Sequence, residues 1–241
     1  MATQYYIHEA IGRVNITRRK GSQKISMRIK PDGTVSVNHP WYATSKEVLD
    51  FIYSHVDWIK AQQQKMADAQ KVWACDEIIQ TKRHIIEIKK VPRGTLRGVL
   101  HNGEVVITIP PAEEIAAEHV QKFITRVVVD ICRREARVYL PVRVGELARL
   151  HGFSYEKVVV KNLKSKWGSC SFKGTINLNI HLMRLPDHLI DYIILHELAH
   201  TREMNHGPRF KLLLDRLTEG RAASLEKEMK KMGASVLNLP A

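Results

Sequence analysis

The stretch His196-Glu197-Leu198-Ala199-His200 places two imidazoles and a carboxylate on one predicted helix. At about 100° per residue, His196 and His200 lie about 40° apart around the helix and about 6 Å apart along its axis. Both rings can therefore bind one ion, and this spacing is typical of zinc sites. Glu197 lies about 60° from His200, where its carboxylate can contact a metal-bound water without binding the metal itself.

Apolar residues surround this motif and indicate a helix that is buried on most sides. We expect the helix to begin at Pro186, with Asp187 near the positive end of its dipole, and to run to about Met204. Its apolar residues point in almost every direction around the axis: Leu189, Ile190, Ile193, Ile194, Leu195, Leu198 and Ala199. Unpaired imidazoles and a carboxylate would be costly there, which favours a shared metal over two unrelated histidines.

A catalytic zinc ion takes three protein ligands and leaves one position open to water. If the helix continued, His206 would lie about 9 Å beyond His200, out of reach of the same ion. We therefore expect a turn between Thr201 and Asn205, after which Pro208 begins another helix. His206 is the favoured third ligand, and the rival ligands are carboxylates on later helices: Asp215, Glu219 and Glu226.

Two hairpins are predicted before this region. The alternating residues 24–30 turn through Pro31-Asp32-Gly33 into Val35 and Val37, which predicts a hairpin with one buried face. A capping box, Thr44-Ser45-Lys46-Glu47, then begins a helix whose apolar stripe is Val48, Phe51, Ile52, Val56 and Ile59.

The second hairpin turns at Asn102-Gly103 and resembles the first. Val105, Ile107 and Pro110 follow Gly103 at the spacings that Val35, Val37 and Pro40 show after Gly33. This pattern indicates either an internal duplication or two unrelated hairpins that are each followed by a helix. The next helix is expected from about Ala112 to Tyr139, with Pro141 interrupting it.

The elements together predict an α+β fold. Antiparallel β-hairpin and helix units form the N-terminal part, and a core follows in which the motif helix packs against a small sheet. Short strands are expected at 157–160, 167–172 and 175–180, and closing helices at 208–217 and 222–232. The expected domains are residues 1–80, 81–152 and 153–241, either separate or continuous with one another.

Composition excludes several classes of protein. With 241 residues, of which 44% are hydrophobic, the chain can bury a core and is neither collagen-like nor largely disordered. No apolar run approaches the length of a membrane span, and residues 1–13 lack the pattern of a signal peptide. Cys75, Cys132 and Cys170 are odd in number and far apart. Reduced thiols and a cytoplasmic location are therefore expected.

The formal charge of +13 is spread along the chain, without a run of five or six like charges. Diffuse solubilising charge is the simpler interpretation. The alternative is a surface with weak nucleic-acid contact, which folding would have to assemble from separate segments, for example from Arg18, Arg19, Lys24, Lys164 and Lys166.

An ordered series of motifs resembles the YgjP-like metallopeptidase family, small zincins related to SprT-type proteases. The series consists of residues 166–171 (KWGSCS), 174–179 (GTINLN), Pro186, 190–192 (IDY), 196–200, 205–206 and Phe210. The resemblance implies Zn2+ held by His196, His200 and His206, with Glu197 as the catalytic acid/base. It also implies a peptide or protein substrate. Lys166 departs from the usual arginine, which puts a bidentate anion contact there in doubt.

Other functions remain open on the same residues. A metal-activated water would also serve a nucleotide phosphoanhydride hydrolase, such as a nucleoside triphosphate pyrophosphatase. A DNA-recruited SprT-like protease and a basic binding protein with structural zinc are further alternatives. The remaining conspicuous side chains are interpreted as structural: Cys170 as a buried thiol, Trp58, Trp167 and Tyr192 as packing residues, and His181 and His188 as surface groups or neighbours of the ligands.

Overall fold

The computed structural model describes residues 3–30, 32–68, 72–237 and 239. It shows a mixed α+β protein whose described residues form three small sheets and six α-helices. The chain divides into two compact units, Met1–Gln70 and Lys71–Ala241. No helix in the described ranges is both long and apolar enough to cross a membrane.

The first unit is a four-stranded sheet followed by two helices. Its order is β1-β2-β4-β3, with β2 and β4 parallel and the other pairs antiparallel. The elements are β1 (Thr3–His8), β2 (Gly12–Arg18), β3 (Ser26–Ile29), β4 (Val35–His39), α1 (Ser45–Tyr53) and α2 (Val56–Asp68). The predicted hairpin is confirmed as β3 and β4, and Pro31 of its turn lies outside the described residues. Val35 and Val37 are fully buried, as the alternation predicts.

The capping box is confirmed at Thr44 and Glu47, but the helix that it begins is shorter than the apolar stripe predicts. Side-chain atoms of Ser54 and His55 both bond to the carbonyl of Phe51, and such bonds compete with helical backbone pairing. The helix ends there and α2 begins at Val56. The expectation that Trp58 packs in the core is wrong, because its side chain is exposed on α2.

The second unit repeats the topology of the first sheet. Its order is β5-β6-β8-β7, again with only the central pair parallel. The strands are β5 (Ile78–Gln80), β6 (Ile85–Lys90), β7 (Arg97–His101) and β8 (Glu104–Ile109). Buried Ile86 faces Val105 across the parallel pair, as buried Val14 faces Val35 in the first sheet. The shared strand order and directions favour internal duplication over two unrelated hairpins.

The long helix α3 (Glu118–His151) contradicts two predictions. It begins six residues later than Ala112, and it continues through Pro141. A proline in a helix interior costs about 3 kcal/mol through a lost hydrogen bond and a clash. Here Leu140 and Val144 are fully buried on either side, and the Arg143 guanidinium makes two 2.7 Å bonds to Asp191. These contacts hold the helix together across the proline.

A three-stranded sheet and three helices complete the second unit. The strands β9 (Lys157–Lys161), β10 (Gly168–Cys170) and β11 (Thr175–Asn179) lie in the order β10-β11-β9, so β10 is an edge strand. A short 3-10 helix, Ile180–Arg184, leads into α4 (Asp187–Ala199), α5 (Pro208–Leu217) and α6 (Ala222–Leu237). Helix α4 contacts β10, β11, α3, α5 and α6. It is nearly surrounded, as its apolar pattern predicts, but it ends before Met204.

His181 is buried, with 2% of its surface exposed, so of the two alternatives expected for it, a surface group or a neighbour of the ligands, the first is wrong. Its Nε2 lies 3.0 Å from the Asn162 side-chain oxygen, and its Nδ1 has no partner among the described residues. Burial, followed by the nearby Arg184 charge, lowers the pKa of His181 to about 4.

This shift predicts a pH-dependent stability. Between the ordinary histidine pKa of about 6.5 and the folded value, the unfolded chain binds more protons, so stability falls with decreasing pH. Between pH 7 and pH 5 the free energy of unfolding should fall by about 2 kcal/mol because of His181. In urea titrations, His181→Gln should remove this part of the pH dependence, whereas His188→Gln at an exposed position should keep it. The prediction would be contradicted if the free energy of unfolding fell equally with pH in wild type and in His181→Gln.

Candidate metal centre

Helix α4 and the turn after it bring three histidines together. Nε2 of His206 lies 3.1 Å from Nε2 of His196 and 3.1 Å from Nε2 of His200. One ligand atom from each residue lies within 4.8 Å of the other two. The expected one-turn spacing of the first two rings is therefore present, and the chain turns so that His206 reaches them.

The turn is built from backbone hydrogen bonds and an anchoring arginine. The N–H groups of Arg202 and Glu203 donate to the Ala199 carbonyl and so close the end of the helix. The Arg202 side chain donates to the Gly152 carbonyl and lies 4.2 Å from the Phe153 ring centre, just beyond α3. The loop that carries His206 is thus tied to the longest helix of the unit.

Phe210 packs against all three histidine rings. Its ring centre lies 5.0 Å from that of His196, 4.5 Å from that of His200 and 4.7 Å from that of His206. It is 2% exposed and lies in the first turn of α5, two residues after Pro208 at the helix start. The aromatic ring therefore supports the cluster from within the core.

The arrangement of the three nitrogens is better suited to binding a metal ion than to hydrogen bonding among the rings. A proton on Nε2 of His206 can be donated to only one of its two neighbours, so hydrogen bonding leaves facing lone pairs. Nitrogens that bind one zinc at about 2.0–2.1 Å lie roughly 3.3 Å apart. The Nδ1 atom of His200 lies 3.1 Å from the Glu203 carbonyl, which accounts for its proton and leaves Nε2 free as a ligand.

Burial also favours the neutral form of two of the histidines. Burial, followed by the neighbouring His200 and His206, lowers the pKa of His196 to about 4. Burial likewise lowers the pKa of His200. Neutral imidazoles are the form that binds a metal, so burial holds His196 and His200 in the form suited to coordination.

The rival carboxylates are not part of this cluster in the described chain. Glu226 lies near enough to His196 for a charge interaction, but its carboxylate is 2.5 Å from the Lys230 ammonium and is largely exposed. Asp215 and Glu219 are exposed.

Glu197 is buried next to His196 in the chain, and no counter-charge in the described ranges lies at bonding distance from it. Its Oε2 atom has no hydrogen-bond partner among the described residues, and only 5% of the residue is exposed. Burial raises the pKa of this carboxyl to about 7, with Lys166 opposing the rise. A buried oxygen with unused hydrogen-bonding capacity is suited to accept a proton.

Gly168 on β10 provides the space for this carboxylate. A methyl group built at Gly168 would lie 2.6 Å from Oε1, 2.8 Å from Cγ and 2.9 Å from Cδ of Glu197. The sequence places Gly168 in a recognisable motif, but the contact joins residues 29 positions apart and is invisible to local pattern.

The other conspicuous residues behave mainly as packing groups. Tyr192 is buried, with its ring centre 6.3 Å from that of His196. Trp167 is half-buried and packs against the core, as expected. Cys170 is half-buried rather than buried, and burial raises the pKa of its thiol, with Glu197 adding to the rise. His188 is exposed and bonds to Glu228.

A cavity of about 730 Å³ opens beside His196 and His206, between α4, α5 and α6. Its apolar lining is formed by Tyr192, Phe210, Leu212, Leu214, Ala222 and Ala223, with Lys211, Asp215 and Glu226 also present. The walls of this cavity come from three helices, so no local sequence pattern indicates it.

Comparison with known proteins gives a family and two partial structural similarities. The model of the YgjP-like metallopeptidase domain matches residues 23–232. The metallopeptidase zymogen of Methanocaldococcus jannaschii jannalysin is 27% identical in sequence. The match covers 37% of this chain and 91% of the jannalysin chain, with a TM-score of 0.34. The metallopeptidase zymogen of Pyrococcus abyssi abylysin is 26% identical in sequence. This match covers 38% of this chain and 92% of the abylysin chain, with a TM-score of 0.34. No curated protein matches significantly. Since the family match spans most of its length, the chain belongs to the YgjP-like metallopeptidase family and is a metal-dependent hydrolase of the peptidase type.

Proposed function

We propose that the chain is a zinc-dependent metallopeptidase, with His196, His200 and His206 as metal ligands and Glu197 as general base. The observation that carries this proposal is the buried Glu197 carboxylate beside three mutually facing imidazole nitrogens. Three protein ligands leave a fourth position for water or substrate, which is the arrangement of catalytic zinc sites.

The chain's own residues supply positioning and proton transfer. Bound zinc would lower the pKa of a water molecule and polarise the scissile carbonyl. Glu197 would take the proton of the attacking water on Oε2 and pass it to the leaving amine. Phe210 and the buried face of α4 would hold the ligand rings in place, so that little reorganisation accompanies the reaction.

The surroundings of the cluster favour a peptide substrate. Helix α4 packs against β10 and β11, giving the small-sheet core of the proposed zincin arrangement. Strand β10 has β11 on one side and no described strand on the other, so an extended peptide could pair with its free edge. The adjoining cavity, with buried Tyr192, Phe210 and Leu214, would accept an apolar side chain.

We also propose a cytoplasmic location. Cys75, Cys132 and Cys170 are all free thiols in the structure, which agrees with a reducing compartment.

Metal analysis paired with a hydrolysis screen tests the proposed function. Purified wild type should hold about one zinc per chain and cleave denatured protein. His206→Ala should lose most of the zinc and the cleavage, because two ligands hold the ion far less tightly than three. His188→Ala, which removes an exposed histidine in the first turn of α4, should keep both.

Two results would contradict this assignment. Full zinc content in His206→Ala would exclude His206 as a ligand. Release of pyrophosphate from nucleoside triphosphates without any protein cleavage would favour the phosphoanhydride hydrolase.

A further inference from the structure

Folding gathers basic and aromatic side chains at one end of the N-terminal sheet. Strands β2 and β4 are parallel, and Arg18 pairs with His39 at their carboxyl ends. Strand β3 begins at the same end, where Ser26 pairs with Asn38. The segments that leave and enter the sheet here form what we call the basic-aromatic end: Arg18, Arg19, Lys20, Lys24, Trp41 and Tyr42.

Hydrogen bonds join the basic and aromatic segments of this end. The Arg18 guanidinium donates a hydrogen bond to the Trp41 carbonyl. The Tyr42 hydroxyl donates another to the Gln23 carbonyl, with 2.7 Å between the two oxygens. The two rings lie edge to face with centres 5.8 Å apart. They are 65% and 58% exposed, so the contacts fix their positions without covering them.

The segments that form this end carry only positive charges, and the next carboxylate along the chain, Glu47, is bonded to Thr44 at the start of α1. No acidic residue occurs between Glu9 and Asp32, or between Asp32 and Glu47. The outer face of the sheet carries polar, basic and exposed apolar side chains: Asn15, Thr17, Ser36, Arg13, Arg28, Tyr5 and Ile7. The two arginines of this face add to the positive charge of the basic-aromatic end, which attracts a polyanion.

The repeated sheet shows that the fold does not require the aromatic pair. Pro40 corresponds to Pro110, so Trp41 and Tyr42 correspond to Pro111 and Ala112. The second copy has the same strand order and directions without these rings. The sheet topology by itself therefore does not account for the exposed rings of the first copy.

We propose that the basic-aromatic end binds single-stranded nucleic acid. Exposed rings stack on unpaired bases, and neighbouring lysine and arginine side chains bind the phosphates. A polyanion without bases would use only the cations, and the bases of a duplex are already stacked. The combination of two exposed rings with four cations fits a single strand best.

Fluorescence anisotropy of the full-length protein with labelled 20-nucleotide oligothymidylate and oligouridylate tests this proposal. Trp41→Ala should weaken binding about tenfold, since one stacked base is lost, while Trp41→Phe should retain most of the affinity. Trp58→Ala, an exposed tryptophan elsewhere in the same unit, should bind as wild type. The thermal unfolding of each variant should match that of wild type, because these rings are exposed.

Salt dependence tests the basic contribution separately. The triple change Arg19→Gln, Lys20→Gln and Lys24→Gln should make the slope of log K against log salt shallower by about 2. The proposal would be overturned if the triple variant kept the wild-type salt slope, or if Trp41→Ala weakened oligonucleotide binding less than twofold. The affinity that Trp41→Ala loses for the oligonucleotides should exceed its loss for heparin, for a duplex of the same length and for phosphatidylserine vesicles. An equal loss of affinity for any of these three would overturn the assignment to single strands.

Discussion

Glu197→Gln should reduce hydrolysis by about 10³-fold while leaving the metal in place. The amide has nearly the same shape as the carboxylate but cannot accept a proton from the attacking water, and general base catalysis contributes factors of about this size. The side chain lies outside the group of three imidazoles, so the metal ligands remain. Zinc content should stay near one per chain when measured beside the cleavage rate.

Glu118→Gln provides a matched control for this change. It makes the same chemical substitution at an exposed carboxylate on α3. Its activity and zinc content should equal those of wild type. A Glu197→Gln variant that retains more than a tenth of the activity would exclude Glu197 as the base, and a variant that loses zinc would make it a ligand instead.

Gly168→Ala should reduce kcat by about 10²-fold with little change in zinc affinity. The new methyl group would lie within 3 Å of three Glu197 atoms, a distance that real contacts do not show. Strand pairing holds Gly168 opposite Leu178, and α4 is buried, so the carboxylate is the group that must move. A displacement of about 1 Å at a reacting group can cost a factor of this size. The rate constant and metal content should be measured on the same preparations.

Two further variants separate a positional effect from a general one. Gly233→Ala adds a methyl group 3.5 Å from the Trp167 ring nitrogen, an ordinary contact in a helix interior that favours alanine, and should keep wild-type activity. Gly168→Ala combined with Glu197→Gln should be no less active than Glu197→Gln alone, since both changes act on the same group. Additive losses would show that Gly168 acts independently of Glu197.

Much of the fold follows from local sequence. The capping box at Thr44, the turn at Asn102-Gly103 and the helix starts at Pro186 and Pro208 all depend on a few consecutive residues. The spacing of His196 and His200 is likewise fixed once the helix forms. These features are predictable because their causes lie within one or two turns of chain.

The structure differs from prediction where distant segments meet. Pro141 lies within a continuous helix because buried neighbours and the bond from Arg143 to Asp191 hold both sides. The buried Glu135 carboxylate accepts hydrogen bonds from Thr81 and the backbone of Lys82, more than fifty residues away. No local pattern specifies such contacts.

By itself, therefore, the sequence determined the helix that carries the histidines, their spacing and the need for a turn after His200. The tertiary structure decided what surrounds them. It brought Gly168 against Glu197, placed Phe210 beneath the three rings and opened the cavity between α4, α5 and α6. The physical reason is range: periodicity and capping act through neighbouring residues, whereas burial and steric fit depend on residues that only folding brings together.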